Sequence, residues 1–211
     1  QDMSIGVVHT HRSDTWDIDE YDNTIFIFTS DNGAAAGGLD GLNGNAPLNR
    51  WLERVGYSTE YETLGEKGSW VAPGIGNASI SNSPLIHYKF HTDEGGLRVP
   101  LVMSGPGISQ HGELTDEFTF VTDIAPTILS LVGLNDHEGN FNGDSVEPIV
   151  GANFSGYLVG TTQQVHSPSE PIGYELGGSS ALFKGDYKIV INRVEQNETE
   201  WHLYNIKVDP G

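Results

Sequence analysis

Two neighbouring residues with side-chain oxygens follow the most apolar short run of the chain. Four large apolar residues occupy positions 25–28, and Asp31, Asn32 and Gly33 follow. A continuous run of β-branched and aromatic residues predicts a strand buried on both faces, as in parallel sheets. Ligands of open α/β sheets bind at the carboxyl ends of such strands, and carboxylate and amide oxygens suit calcium or magnesium. Asp31 and Asn32 are therefore candidate metal ligands.

Each of these candidates also has a plain structural interpretation. Asp, Asn and Gly are common turn residues that tolerate left-handed backbone, so a simple turn explains Asp31 and Asn32 equally well. Lys89 is a third candidate, because cations are scarce in a chain that has 10 basic residues against 29 acidic ones. It is either a surface lysine or a cation held for an anionic substrate oxygen.

The composition of the 211-residue chain excludes several classes of function. A formal net charge of −19 argues against nucleic-acid binding, which depends on Lys and Arg at the phosphates. It suits a salty or extracellular setting, so we expect a periplasmic or secreted protein. The absence of Cys excludes disulfides, thiolate metal sites and a cysteine nucleophile within the chain. No segment approaches the roughly 18–20 apolar residues of a membrane helix.

The elements that must position these candidates are readable in outline. We expect a short helix over residues 47–57, a long polar loop over 60–83, and a buried strand over 97–103 with Pro100 near its start. A short strand is expected over 118–121. A helix should start at Thr122 and Asp123 and stop at Gly133, with Asp123 as a cap rather than a catalyst.

The last third of the chain predicts a small antiparallel sheet. Its apolar and aromatic segments cover residues 172–175, 180–183, 187–191 and 201–204. Residues 184–186 separate two of them at hairpin length. A turn-rich stretch over 135–156 predicts a subdomain boundary, so the expected domains are 1–150 and an incomplete subdomain over 151–211.

Four phrases in a fixed order resemble the sulfatase family of the alkaline-phosphatase superfamily, and they cover most of the chain. They are Asp22-Asn23-Thr24 with Ser30-Asp31-Asn32-Gly33; Tyr88-Lys89 with Glu94-Gly95-Gly96-Leu97-Arg98-Val99-Pro100; Val121-Thr122-Asp123-Ile124-Ala125-Pro126-Thr127-Ile128-Leu129; and Gly185-Asp186-Tyr187-Lys188 with Leu203-Tyr204-Asn205 and Asp209-Pro210-Gly211. The chain is similar to the C-terminal half of an arylsulfatase-type enzyme.

The resemblance implies a fold and roles for the three candidates. The fold is an α/β alkaline-phosphatase-like mixed sheet flanked by helices, present in its C-terminal part only, with a small antiparallel-sheet subdomain. Asp31 and Asn32 would be ligands of a divalent ion, usually calcium. Lys89 would contact the sulfate oxygens and stabilise charge in the transition state. His87 and His91 match no motif position of the family, so they stay outside the predicted site.

The nucleophile implied by the resemblance is missing from this chain. In the family it is a formylglycine made from Cys or Ser in a Cys/Ser-x-Pro-x-Arg motif. Ser104-Gly105-Pro106 and Ser169-Glu170-Pro171 are followed by Ile108 and Gly173 at the Arg position. We therefore expect an N-terminal half of the same protein to supply it, and this chain alone to be inactive.

Three hypotheses follow for the function. The first is part of a sulfatase that hydrolyses a sulfate-ester small molecule or a sulfated glycan by a calcium- and formylglycine-dependent mechanism. The second is a phosphodiester or phosphonate monoester hydrolase of the same superfamily. The third is a non-catalytic chain for binding or assembly, which predicts no metal affinity at Asp31 and Asn32.

Overall fold

A computed structural model describes residues 21–37, 46–70, 73–109, 112–134, 138–193 and 198–210. The chain divides into two compact units, each built from two stretches of sequence. The first unit comprises Gln1–Thr29 and Leu101–Glu170, and the second comprises Ser30–Pro100 and Pro171–Gly211. The domain boundary that we expect after residue 150 stays a prediction.

Helices and short strands alternate along the described residues. The helices are α1 (Ala46–Val55), α2 (Gly74–Asn82), α3 (Glu94–Leu97), α4 (Ile124–Leu131) and α5 (Ser155–Leu158), with 3-10 turns at Tyr21–Asn23, Tyr61–Thr63 and Val121–Asp123. The strands are β1 (Phe26–Thr29), β2 (Leu101–Ser104), β3 (Asn140–Phe141), β4 (Asp144–Ser145), β5 (Ile172–Leu176), β6 (Ser179–Lys184), β7 (Tyr187–Ile191) and β8 (His202–Asn205). The mixed α/β content agrees with the predicted fold class.

Strand β1 forms where we predict it, but its pairing and burial differ from the expectation. It pairs antiparallel with β2, rather than joining a parallel sheet. Phe28 and Val102 face each other in the register, and they are 41 % and 38 % exposed. The apolar run predicts a strand but carries no information on its partner's direction. Each face of a strand needs its own cover, and the described residues leave the Phe28 face partly open.

The first unit buries a small apolar core on the other side of this ribbon. Ile108, Phe154 and Leu158 are its buried centre, and six partly buried residues pack against them: Ile25, Leu101, Met103, Leu131, Tyr157 and Val165. Helix α4 lies within the range predicted from its apolar spacing and ends before Gly133. The short strand that we expect over 118–121 is absent; Val121 begins the 3-10 turn that leads into α4.

The second unit contains the predicted antiparallel sheet. Its strand order is β5-β6-β7-β8, and every neighbouring pair is antiparallel. Lys184 pairs with Tyr187, so Gly185 and Asp186 form the two-residue hairpin loop expected from the sequence. Ala181 and Phe183 on β6 are buried, as are Val190 and Ile191 on β7. These buried residues lie within the apolar segments from which the sequence predicts the strands.

Two expectations for residues 60–103 need correction. The predicted long loop over 60–83 contains the 3-10 turn at Tyr61–Thr63 and the nine-residue helix α2. Helix α2 is rich in Gly, Ser and Asn and buries only Ala78, so its sequence has no apolar stripe that would predict a helix. The strand expected over 97–103 begins later, at Leu101, because Leu97 closes α3 and Pro100 cannot donate to a sheet ladder.

Candidate active site

The loop that follows β1 presents two side-chain oxygens. Ser30 Oγ donates to the Asn32 carbonyl at 2.9 Å, and Asn32 Nδ2 donates to the Gly33 carbonyl at 2.8 Å. The second of these bonds orients the Asn32 side-chain amide with its nitrogen turned to the backbone. Among the described residues, nothing donates to Asn32 Oδ1 or to the exposed carboxylate of Asp31. A carboxylate and an amide oxygen are hard donors, so this pair fits a calcium or magnesium ion.

Such an ion needs more ligands than these two oxygens. Calcium takes about six to eight oxygen ligands, and the described residues contain no cluster of three or more His, Cys, Asp or Glu that could hold a metal. The Asp31 and Asn32 pair is thus at most a partial ligand set.

A close approach of glycines holds this loop against the Glu94-Gly95-Gly96 motif. Gly33 donates its N–H to the carbonyl of Gly96 at 2.9 Å. A Cβ added to Gly33 would overlap the Gly95 carbonyl, and one added to Gly96 would overlap the His91 carbonyl. Only glycine permits such backbone contact. Two phrases separated by about sixty residues in the chain therefore meet at their glycines.

The segment that carries Lys89 joins the same scaffold. Lys89 donates its N–H to the Ala34 carbonyl at 3.0 Å, and Ala34 is two residues from Asn32. The backbone segments of all three predicted site residues are thus connected through Gly33, Ala34 and Gly96. Within the described residues, no hydrogen bond or ion pair joins their side chains to one another. The half-buried Lys89 carries its ammonium 5.7 Å from the ring centroid of Phe90.

The backbone around Lys89 is held in an unusual conformation. His87 has φ +62° and Phe90 has φ +81°, in the left-handed region that costs a side-chain-bearing residue on the order of 1–3 kcal/mol. Between them, Tyr88 is buried against Ala36 and Ala78. Strained residues persist only where the surrounding structure fixes them, so the conformation of the Lys89 segment is imposed by its packing.

A buried carboxylate, Asp93, anchors one side of this segment. His87 Nδ1 donates to Asp93 Oδ2 at 2.6 Å, and Asn192 Nδ2 donates to the same oxygen at 2.6 Å. Burial acts to raise the pKa of Asp93, but the hydrogen bond and charge of His87, the Asn192 bond and the charge of Lys188 outweigh it. The pKa therefore lies below its ordinary value, and Asp93 is ionised at neutral pH.

A second buried carboxylate, Glu94, is paired with a buried lysine of β7. Lys188 Nζ donates to Glu94 Oε1 at 2.7 Å, and the two side chains are 1 % and 8 % exposed. The Lys188 ammonium also lies 4.7 Å from the Phe183 ring centroid. Burial lowers the pKa of Lys188, while the charges of Glu94 and Asp93 act to raise it. This ion pair attaches the first residue of α3 to the antiparallel sheet.

The sequence does not reveal which residues support the site, although one of them leaves a signal. Asp93 and Asn192 look like ordinary polar residues, and the phrase that contains Glu94 gives no sign of its ion-pair partner. Lys188 lies two positions from Val190 on a strand that alternates, so it shares the buried face. A lysine at an apolar position of such a strand indicates a buried ion pair.

Asp123, which we expect to be a cap, has a structural role in the first unit. Its Oδ2 accepts the Phe120 N–H at 2.7 Å, and its Oδ1 accepts the Ala152 N–H at 2.7 Å. His166 Nε2 donates to Oδ2 at 2.7 Å, and Glu170 lies 3.3 Å from His166 Nδ1. The fully buried carboxylate thus ties together the start of α4 and two loops.

Comparison with known proteins identifies the family. The sequence model of the family described as Sulfatase matches residues 17–134, more than half of the chain, including Asp31, Asn32 and Lys89. The chain belongs to the sulfatase family. An uncharacterised sulfatase of Schizosaccharomyces pombe is 33 % identical over all 211 residues, and an arylsulfatase of Klebsiella aerogenes is 31 % identical over 134 residues, or 63 % of the chain.

A solved structure also matches most of the chain. The chain is 25 % identical to Ps i-CgsB, crystallised in complex with k-i-k-neocarrahexaose, and superposes with a TM-score of 0.54 over 90 % of its length. The predicted alkaline-phosphatase-like fold class is therefore confirmed. The chain spans 37 % and 28 % of the two curated sulfatases and 32 % of Ps i-CgsB. In the described residues, no helix is both long and apolar enough to cross a membrane.

Proposed function

We propose that this sulfatase chain is the C-terminal portion of an enzyme that hydrolyses sulfate esters, and that it contributes Asp31, Asn32 and Lys89 to the active site. The observation that carries the proposal is the shared backbone scaffold. Gly33 is bonded to Gly96, and Lys89 is bonded to Ala34, within the range that matches the sulfatase family.

The oxygen pair would serve a divalent cation. Asp31 supplies an anionic oxygen and Asn32 a neutral one, and the Asn32 amide is already oriented by its bond to Gly33. A bound calcium ion would neutralise part of the charge on the sulfate oxygens. The remaining ligands would come from outside the Asp31–Asn32 loop, as would the formylglycine nucleophile, since no Cys/Ser-x-Pro-x-Arg motif is present here.

Lys89 would act as a fixed cation for the sulfuryl group. Charge develops on the sulfuryl oxygens and on the leaving oxygen as the ester bond breaks, and a preorganised ammonium stabilises it without rearranging. The constrained backbone at His87 and Phe90 keeps the root of this side chain in one place. Because the chain has a net charge of −19, an anionic substrate is repelled at long range, which makes a local cation necessary.

The substrate class that we propose is a sulfate ester of a small molecule or of a glycan. The structural relative Ps i-CgsB is bound to an oligosaccharide, neocarrahexaose, and the Klebsiella relative is named an arylsulfatase. A periplasmic or secreted location suits a glycan substrate and stays a prediction.

The test is the turnover of 4-nitrophenyl sulfate and 4-nitrophenyl phosphate by the full-length protein that contains this chain. We expect hydrolysis of the sulfate ester, its loss with a chelator, and a fall of at least about 10²-fold in kcat for Lys89→Ala, the usual effect of removing one charge-stabilising group. Lys67→Ala and Asp186→Asn change exposed residues of the same unit and should leave kcat unchanged. If the protein prefers the phosphate ester, its function belongs to the phosphoester branch of the superfamily. If Lys89→Ala keeps the wild-type activity on both esters, the role assigned to Lys89 is wrong.

A further inference from the structure

The last residue of helix α2, Asn82, bonds to three separate backbone groups through one side-chain amide. Its Oδ1 accepts the N–H of Ala34 at 3.0 Å. Its Nδ2 donates to the carbonyl of His87 at 2.9 Å and to the carbonyl of Gly95 at 2.8 Å. Both hydrogens of the amide nitrogen and one lone pair of its oxygen are thereby used.

The three bonded groups belong to the three segments of the candidate site. Ala34 follows the Asp31–Asn32 loop, and its carbonyl accepts the Lys89 N–H. His87 precedes Lys89 by two residues and has the left-handed backbone described above. Gly95 is the residue on which Gly33 packs. One amide therefore links the metal-ligand loop, the lysine segment and the glycine motif.

The orientation of this amide is dictated by its partners. A backbone N–H can only donate and a carbonyl can only accept, so the oxygen of Asn82 must face Ala34 and its nitrogen must face His87 and Gly95. An aspartate has the same shape, but it would place an anionic oxygen against two carbonyl oxygens. Asn82 is thus matched to this junction by hydrogen-bond polarity as well as by size.

We propose that Asn82 is the positioning residue of the active site: it sets the placement of Asp31 and Asn32 relative to Lys89. This inference rests on the proposed function. Asn82 touches neither substrate nor metal; it acts through the backbone of Ala34, His87 and Gly95. Helix α2, whose sequence gives little sign of a helix, then positions the Asn82 side chain at this junction.

The first experiment measures amide hydrogen exchange in the full-length protein. We expect Asn82→Asp to speed exchange of the Ala34 and Lys89 N–H groups by about tenfold or more, the effect of losing a typical buried hydrogen bond. Asn77→Asp is the matched control, because Asn77 is an exposed residue of the same helix whose amide donates to the carbonyl of Pro73, the residue before the helix. If the Ala34 N–H exchanges at the same rate in Asn82→Asp as in the Asn77→Asp control, the proposal is overturned.

The second experiment separates positioning from stability. Calcium affinity, kcat and KM for 4-nitrophenyl sulfate are compared in Asn82→Asp, Asn82→Ala and Asn77→Asp. We expect both Asn82 variants to lower calcium affinity and kcat by about tenfold or more, with a smaller change in KM. A purely structural role would lower Tm while the folded enzyme kept its calcium midpoint and kcat, and that result would overturn the inference. Asn82→Ala adds no charge, so it decides the question if Asn82→Asp does not fold.

These outcomes are distinct from a failure of the proposed function. If the wild-type protein neither binds calcium nor hydrolyses the sulfate ester, the proposed function is wrong and a positioning role falls with it. If the wild type is active and both Asn82 variants match the Asn77 control, only the role of Asn82 is wrong.

Discussion

The positions of the predicted site residues depend on glycines that no larger residue could replace. Gly33 lies directly beside Asn32, and its missing Cβ leaves room for the Gly95 carbonyl. The sequence indicates Gly33 as a turn residue, yet the structure gives it a second reason: contact between two backbones. That reason was not predictable, because the contact involves a residue more than sixty positions away.

Substitution of Gly33 tests this contact. We expect Gly33→Ala to destabilise the protein by about 1–3 kcal/mol, because the added methyl group must displace backbone. Gly76→Ala is the control: Gly76 lies in α2 with nothing within 4 Å of an added Cβ, so alanine should stabilise the helix by about 0.5–1 kcal/mol. Thermal or chemical unfolding of the two variants should therefore give opposite signs. Equal shifts would show that Gly33 and Gly95 are not in close contact.

His166 of the first unit gives a prediction about pH. Burial acts to lower the pKa of His166, but its bond to Asp123 and the charges of Asp123 and Glu170 raise it above the ordinary value of 6.5. A raised histidine pKa contributes stability that is complete below the unfolded value and is lost as the pH rises through the folded value. We expect the first unit to lose this stabilisation on the alkaline side of pH 6.5.

The measurement for His166 is an NMR titration of its ring. Its pKa should lie above 6.5 in the wild type, fall markedly in Asp123→Asn, and fall only slightly in Glu170→Gln, since Glu170 is half exposed. An unshifted wild-type pKa, or the same pKa in Asp123→Asn, would contradict the pairing.

At the scale of elements, β7 supports the site through the Lys188–Glu94 pair. Removal of one partner from a buried ion pair leaves an uncompensated charge and costs about 3–5 kcal/mol. We expect this loss for Lys188→Met, measured by chemical unfolding. Much of it should be recovered in the double variant Lys188→Met with Glu94→Gln, since the unpaired charge is then gone. Lys184→Met changes an exposed lysine of the adjacent strand and should have little effect; if it costs as much as Lys188→Met, the pair has no special role.

How well each element could be predicted depends on how much of it is buried. Strands β6 and β7 bury three side chains each, so the sequence predicts their positions from its apolar segments. Helix α2 buries Ala78 alone, so the sequence predicts a loop there, although its final residue, Asn82, links the three segments of the candidate site. The sequence predicts strands β1 and β2 from their apolar runs but not their antiparallel pairing, because a short run does not encode direction.

At the scale of the molecule, the sequence predicts the candidate site residues but not the long-range contacts that position them. Asp31, Asn32 and Lys89 lie on short phrases whose order identifies a family, and the sulfatase match covers all three. Asn82, Asp93 and Lys188 act through contacts between distant segments, which single phrases do not reveal. The ligand roles of Asp31 and Asn32 and the role of Lys89 stay predictions.

The length of the chain leads to a prediction about activity. It spans about a third of its sulfatase relatives and carries no formylglycine motif. We expect the 211-residue chain, produced alone, to show no turnover of 4-nitrophenyl sulfate, because a cation and two metal ligands do not replace a nucleophile. Turnover by the pure chain that is unaffected by a chelator would refute the proposed division of the active site.

The most direct test of the central claim is a crystal structure of the full-length protein grown with calcium and sulfate. We expect a calcium ion at about 2.3–2.6 Å from oxygens of both Asp31 and Asn32, and a sulfate oxygen within about 3 Å of Lys89 Nζ. A calcium ion bound elsewhere, with Asp31 and Asn32 in solvent and Lys89 remote from the sulfate, would contradict the account.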